Sequence, residues 1–202
     1  ARIRSITGGS KVVSLGIGGN GPLLEYASLV EYASRVEPKK LIWFYFEGND
    51  FDDLKNEQTN PLLMKYLAEN FSQKLMDRQP EIDKKLIKYI NQAKTLELAE
   101  QKKIKWIRLS RIRKIIGDDG NVALDNMINK PLFEIILKKA KARTEGWGGK
   151  FYFVYLPDYL RYVTEDVSHD RFNNKLEVIE LVKRLQIPVI DIHKEVFATH
   201  PN

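Results

Sequence analysis

Two polar side chains, Asn49 and Asp50, come shortly after an apolar run that ends at Phe46. The run has the composition of a buried strand, and only Glu47 and Gly48 separate it from the amide and the carboxylate. In open α/β sheets, ligands bind outside the carboxyl ends of the strands, where loop side chains and backbone amides converge. An asparagine amide can donate hydrogen bonds there without titrating, and the carboxylate can orient it or cap the next turn. Asn49 and Asp50 are therefore candidate site residues.

A second cluster of the same form is rich in glycine and follows the apolar run over residues 12–15. Its sequence is Gly16-Ile17-Gly18-Gly19-Asn20-Gly21-Pro22. Glycines after a strand allow the backbone to approach a ligand closely and present N–H groups to it. The alternative is a tight strand-to-helix turn that Asn20 caps and Pro22 follows as the first helical residue. A glycine cluster taken alone favours this second interpretation.

The elements that must position these residues follow from the apolar pattern. Near-continuous apolar runs predict four buried parallel strands, at residues 12–15, 41–46, 151–156 and 188–192. Apolar stripes at helical spacing predict helices at residues 23–36 and 172–185. Strand, helix and strand at these distances form the crossover unit of a parallel sheet. The sequence therefore predicts a three-layer α/β/α domain.

The long interval between the second and third strands predicts several helices rather than one crossover. They lie at residues 61–71, 81–90, about 104–116 and 131–143, and a turn cluster occupies residues 117–121. Asn60 and Pro61 have the residue types that begin a helix. We expect one domain over residues 1–202 with a helical insertion at residues 60–120.

Taken together, the two polar clusters resemble two of the four sequence blocks of the SGNH hydrolase superfamily, also called GDSL esterases and lipases. Gly19 aligns with the glycine whose N–H helps to form the oxyanion hole, and Asn49 aligns with the asparagine that supplies the other donor. Gly18, Gly48 and Asp50 fall within the same blocks as supporting residues. The extended sequence Glu-Gly-Asn-Asp-Phe-Asp-Asp-Leu resembles the corresponding block of one bacterial subgroup. Glu47 departs from the usual glycine of that block.

The resemblance implies a flavodoxin-like sheet and a serine esterase or acyl hydrolase that needs no metal or other cofactor. When a serine attacks an ester, preorganised donors stabilise the carbonyl oxygen, and removing one donor costs about 3 to 4 kcal/mol. The implied ligand is an ester-bearing small molecule, lipid or glycan. Relatives of this subgroup are more often associated with the cell envelope than with the cytosol.

The nucleophile and the base of such an enzyme are not identified in this chain. Ser10 comes before the first predicted strand, at the wrong end of the sheet, and is interpreted as a turn residue. The family's final block is Asp-x-x-His, whereas Asp191 and His193 are only two positions apart and His200 has no such aspartate. His169 in Ser-His-Asp cannot form a triad with adjacent residues and is interpreted as part of a helix start.

We therefore expect a fragment, cut at both ends, that lacks the nucleophile block, the final block and the first strand. Residues 1–7 have the pattern of the last turns of a helix. Loss of a central strand should expose apolar faces that a complete domain buries, and it predicts a poorly soluble or partner-dependent piece. The fragment alone is expected to be catalytically inactive.

Composition sets broader limits on function. The chain has 202 residues, 43% hydrophobic and 30% charged, which is typical of a globular domain. The absence of cysteine excludes disulfides, thiolate metal sites and a cysteine nucleophile. No apolar run approaches the length that crosses a bilayer. Compartment and oligomeric state stay open.

Two other functions remain as alternatives. One is a non-catalytic SGNH-like module that binds a glycan or a protein through the helical insertion. A weaker one is a binder of anionic lipid or nucleic acid, because the net charge of +6 is concentrated at residues 74–114. These basic residues fit better as the solvated face of packed helices, and we expect no nucleic-acid partner.

Overall fold

The computed structural model describes residues 6, 8, 11–100, 122–163 and 174–198. The chain forms two compact units, one of residues 1–72 with 123–202 and the other of residues 73–122. The predicted helix at 104–116, the predicted turn at 117–121 and nearly all of residues 1–7 lie outside the described residues. A single domain with an insertion at 60–120 stays a prediction.

The first unit contains a small parallel sheet of three strands in the order β1, β2, β3. These strands are β1 (Lys40–Phe46), β2 (Lys150–Leu156) and β3 (Val189–Asp191). The register places Phe46 opposite Leu156 and Phe153 opposite Val189. All three observed strands were predicted from their apolar runs. No predicted boundary differs from the observed one by more than one residue. Because the strands are parallel, their carboxyl ends meet at one edge of the sheet.

The helices of this unit are mostly short. They are α1 (Pro22–Ser28), α2 (Ser34–Val36), α3 (Asp50–Glu57), α4 (Pro61–Lys65), α6 (Val122–Gly146), α7 (Leu160–Val163) and α8 (Lys175–Arg184). Two π-helical segments, Leu29–Ala33 and His193–Phe197, accompany them. The second unit contains α5 (Gln79–Glu100).

Several predicted helix boundaries need correction. The predicted helix at 61–71 ends at Lys65, and the predicted helix at 131–143 begins nine residues earlier, at Val122, with Pro131 inside it. A proline can be accommodated in a helix at the cost of one backbone hydrogen bond, so it does not have to mark the helix start. The predicted cap is confirmed for α4, where Asn60 Oδ1 accepts from Leu62 N at 2.9 Å.

The core lies on one face of the sheet. The alternation of β1 buries Trp43 and Tyr45, and the Tyr45 ring lies 5.5 Å from the ring of Phe133 in α6. Phe51 of α3 packs edge-on against the same Phe133 ring at 5.4 Å. This aromatic cluster fixes α3 against the sheet and so positions the segment that follows β1.

The predicted strand at residues 12–15 is wrong. Residues 11–17 have no regular secondary structure, and Val13 is 66% exposed. Leu15 still packs against the core. A strand requires a neighbour that pairs its backbone groups, and this segment does not pair with the sheet formed by β1, β2 and β3. An apolar run of four residues cannot supply that neighbour by itself.

The opposite face of the sheet exposes apolar side chains. Ile42, Phe44 and Phe46 of β1 and Ile190 of β3 are all more than a third exposed. That a missing strand exposes this face stays a prediction. The described residues form a mixed α/β fold with a small parallel sheet, whereas a three-layer, flavodoxin-like arrangement stays a prediction.

The helix α5 of the second unit carries ion pairs typical of a solvated helix. Lys85 Nζ lies 2.6 Å from Glu81 Oε1 one turn away, and both side chains are exposed. Apolar side chains are exposed as well, namely Leu86, Ile87, Tyr89 and Ile90. None of the helices within the described residues combines the length and the apolar character needed to span a membrane.

Candidate functional site

The candidate site lies at the carboxyl edge of the parallel sheet. The end of β1 leads into Glu47 and Asn49, the end of β2 leads into Asp158, and the end of β3 leads into His193. The sequence predicted Asn49 as a site residue but missed Glu47 and Asp158.

Asn49 is the N-cap residue of α3, but its side chain does not cap the helix. Its Nδ2 instead donates to Oδ2 of Asp53, one helical turn away, at 2.7 Å. The side chain is exposed. The amide is therefore oriented by a carboxylate and lies at the surface, as a donor to a ligand must.

Asp50 is buried and does not orient Asn49. Its Oδ2 accepts from the backbone N–H of Phe46 at 2.9 Å, which ties the start of α3 back to the end of β1. Burial, with smaller contributions from Asp53 and Glu57, raises the pKa of Asp50 to about 7. Asp50 was expected to orient Asn49 or to cap the next turn. In the structure, Asp53 and not Asp50 orients Asn49.

Gly48 is required by close packing. A Cβ at this position would lie 2.4 Å from Cε1 of Phe46 and 2.8 Å from Oδ2 of Asp158. Gly48 therefore allows the ends of β1 and β2 to approach each other.

The glycine cluster forms an exposed turn before α1. The N–H of Asn20 donates to the carbonyl of Ile17 at 3.1 Å, and Gly18 and Gly19 between them are exposed. Gly19 has a φ of +87°, a conformation that favours glycine. A turn before α1 is thus confirmed, whereas the strand that was predicted to precede it is absent.

The predicted cap by Asn20 is wrong, because the N-cap residue of α1 is Gly21. Pro22 is the first helical residue, as predicted. The carboxylate of Glu57, from α3, takes the place of a local cap. It accepts from Gly21 N at 2.7 Å, from Leu23 N at 2.9 Å and from Leu24 N at 3.3 Å. A negative charge at a helix N-terminus is also favourable to the helix dipole.

Asp53 connects the two predicted clusters. It accepts from Asn49, and a Cβ on Gly21 would lie 2.7 Å from its own Cβ. The glycine cluster and Asn49 were identified separately in the sequence, 30 positions apart. In the structure, Gly21 of the cluster and Asn49 both lie close to Asp53.

A further acid, Glu25 of α1, belongs to this region. Its Oε2 is buried and has no hydrogen-bond partner among the described residues. Burial, with Asp50 and Glu57 adding repulsion, raises the pKa of Glu25 to about 9. Glu25 is therefore protonated at neutral pH, and this limits the negative charge between α1 and α3.

Glu47 forms a buried network that sequence reasoning missed. Its carboxylate accepts from Nε and Nη2 of Arg161 at 2.8 and 2.7 Å, from the N–H of Asp158 at 2.7 Å and from the hydroxyl of Tyr155. Burial alone would raise the pKa of Glu47, but these bonds lower it below the ordinary value. The sequence signal that could have indicated this network was the charge of Glu47, because a carboxylate at the end of a buried strand needs a cationic partner.

His193 begins the π-helical segment two residues after the end of β3. Its Nδ1 lies 2.6 Å from the hydroxyl of Tyr162. Asp191 pairs with Lys175 at 3.0 Å. Burial, followed by the charges of Lys175 and Arg161, lowers the pKa of His193.

Three other candidates, Ser10, His169 and His200, lie outside the described residues. Within the described part of the chain, no group of three histidine, aspartate or glutamate side chains could hold a metal ion.

Comparison with protein-family models, with curated proteins and with solved structures finds no match to this chain. The resemblance to SGNH hydrolases therefore depends on the residues of its two motifs and stays a prediction.

Proposed function

We propose that this chain provides the oxyanion hole of an SGNH-type serine esterase or acyl hydrolase. The donors are the backbone N–H of Gly19 and the side-chain amide of Asn49. The observation that carries the proposal is the exposure and the hydrogen bonding of the Asn49 side chain. Its amide lies exposed at the carboxyl end of β1, bound to Asp53 and not used as a helix cap. Gly18 and Gly48 belong to the same two motifs, and Asp50 ties the start of α3 to the end of β1.

Asp53 supplies the geometric support for pairing these two donors. Asn49 binds Asp53, and Gly21 at the end of the glycine cluster lies so close to Asp53 that an added Cβ would be 2.7 Å from the Cβ of Asp53. Two neutral donors suit a reaction in which negative charge develops on a carbonyl oxygen. The proposal requires a serine nucleophile and a general base from outside residues 1–202, within a three-layer, flavodoxin-like domain. Its substrate is an ester-bearing small molecule, lipid or glycan.

The test uses the protein encoded by the whole gene, including any sequence that flanks these residues. Hydrolysis of short p-nitrophenyl esters is compared for the wild type and Asn49→Ala. Loss of an oxyanion donor should lower kcat about 10²- to 10³-fold. Asn56→Ala is the matched control, because Asn56 is an exposed asparagine of the same helix. A folded Asn49→Ala variant with wild-type kcat would contradict the proposal.

A non-catalytic SGNH-like binding module is the second candidate. The exposed apolar side chains of α5, such as Leu86 and Ile87, favour a contact surface on that helix. Flanking sequence without the family's nucleophile block and its Asp-x-x-His block, together with no esterase activity, would favour this module over the enzyme.

A further inference from the structure

The arrangement of Asn49 at the start of α3 is unusual for its position. An asparagine at the N-cap normally accepts hydrogen bonds, through its side-chain oxygen, from N–H groups of the first turn. Asn60 does so at the start of α4. Asn49 makes no such bond, and its nitrogen donates to Asp53. The side chain therefore presents its donor group, not its acceptor, to the carboxylate.

Asp53 is linked to Asn49 twice. Its backbone N–H donates to the carbonyl of Asn49 at 2.8 Å, and its carboxylate receives the side-chain amide. Residues four apart are neighbours on a helix, so both links are compatible with regular helical geometry. Gly21 also lies close to Asp53, since an added Cβ on Gly21 would be 2.7 Å from the Cβ of Asp53, and this limits the space around the aspartate.

The number of donors is important here. An asparagine nitrogen carries two N–H groups in one plane, and Asp53 takes one of them. Because the amide is planar, a hydrogen bond to one N–H fixes the direction of the other. The second N–H is then available to a ligand oxygen in a defined direction.

We propose that Asp53 is the positioning residue of Asn49, holding its amide so that the second N–H points to the substrate oxygen. This inference rests on the proposed function for the identity of the ligand. Its geometric part, the hold of Asp53 on the amide, is independent of catalysis. The carboxylate charge opposes an oxyanion, so the role of Asp53 is to accept a hydrogen bond and orient a donor.

The geometric part is tested by NMR on the protein encoded by the whole gene. The Asn49 side-chain signals are assigned by their loss in Asn49→Ala. In the wild type, the two amide protons of Asn49 should be more widely separated in chemical shift than those of Asn56. Asp53→Ala should remove the difference, whereas Asp53→Asn, which keeps an acceptor oxygen, should largely preserve it. Asp52→Ala removes a charge from the same helical turn and should leave the signals unchanged.

The catalytic part is tested on the protein encoded by the whole gene. Asp53→Ala should lower kcat for p-nitrophenyl esters about 10-fold or more, because the donor is misplaced although it is still present. KM should be nearly unchanged, because the donor acts on the transition state. Asp53→Asn should recover most of the loss. A purely structural role would reduce the folded fraction and not kcat per folded molecule.

The possible outcomes separate the two proposals. Unchanged Asn49 signals in Asp53→Ala would overturn the positioning role, whatever the activity. A wild-type kcat in Asp53→Ala would overturn its part in catalysis. A wild type with the predicted amide signals but without esterase activity would contradict the proposed function, while the hold of Asp53 on Asn49 would stand.

Discussion

The carboxylate of Glu47 and the guanidinium of Arg161 form a bidentate ion pair in which the two side chains are 1% and 15% exposed. The pair joins the end of β1 to α7, which follows β2. Parallel, charge-assisted hydrogen bonds of this kind fix direction as well as distance. Glu47 therefore fixes the ends of two neighbouring strands at the edge that holds the candidate site.

Removal of one partner from this pair should be strongly destabilising. Glu47→Ala leaves the Arg161 guanidinium and the Tyr155 hydroxyl without their acceptor in a buried site. The expected cost is about 3 to 5 kcal/mol in the free energy of unfolding, measured by urea denaturation at pH 7. The matched control is Glu81→Ala, which breaks the exposed pair with Lys85. A Glu47→Ala variant no less stable than this control would show that the buried pair is not structural.

Stability should fall as the pH rises from about 5 to 9. Burial and neighbouring acids raise the pKa of Glu25 from 4.5 to about 9 and that of Asp50 from 3.8 to about 7. Between its unfolded and folded pKa values, each group binds a proton in the folded state only. The free energy of unfolding therefore falls by up to about 1.4 kcal/mol per pH unit and per group. Urea midpoints at pH 5, 7 and 9 measure the slope.

Glu25→Gln isolates the contribution of Glu25. Glutamine resembles the protonated acid but does not titrate, so the variant should lose less stability between pH 7 and 9 than the wild type. Glu180→Gln, on the exposed face of α8, serves as the control. Glu47 changes the pH dependence of stability in the opposite direction, because its pKa is lowered and not raised. The stability that Glu47 confers is lost only as the pH falls below the ordinary pKa of 4.5. Equal slopes in the wild type and Glu25→Gln would argue against a protonated Glu25.

Gly21 should be intolerant of a side chain. A Cβ there would lie 2.7 Å from Cβ of Asp53 and 2.8 Å from Oε2 of Glu57. Gly21→Ala should therefore separate α1 from α3, weaken the Glu57 cap and cost about 1 to 3 kcal/mol in the free energy of unfolding. Gly16→Ala is the control, since nothing lies within 4 Å of its Cβ position. Equal urea midpoints for the two variants would contradict the close packing of α1 on α3.

The sheet shows what local patterns can and cannot predict. The strands β1 and β2 were predicted to within one residue because continuous apolar runs, bounded by charged residues and glycines, identify buried strands. Residues 12–15 have a similar local composition but form no strand. Whether a run becomes a strand depends on a partner for its backbone, and no local pattern encodes that partner.

The candidate site was predictable in its position but not in its contacts. Asn49 and Asp50 could be recognised because polar residues followed a buried strand. Arg161 is 114 positions from Glu47, so their pairing depends on the sheet order and not on any motif. Asp53 lies within the sequence motif that was recognised, but only the direction of the Asn49 amide in the structure shows the role of Asp53.

Two adjacent residues of β1 should respond to truncation in opposite ways. Trp43 is 4% exposed in the core, whereas Phe44 is 46% exposed on the other face of the sheet. Trp43→Ala should cost about 3 to 5 kcal/mol in the free energy of unfolding, because it leaves a cavity. Phe44→Ala should have a much smaller effect on the urea midpoint but reduce self-association in sedimentation velocity, since an exposed apolar face on an edge strand promotes association. If Phe44→Ala unfolds the protein as readily as Trp43→Ala, then Phe44 is buried in solution and that face of the sheet is covered.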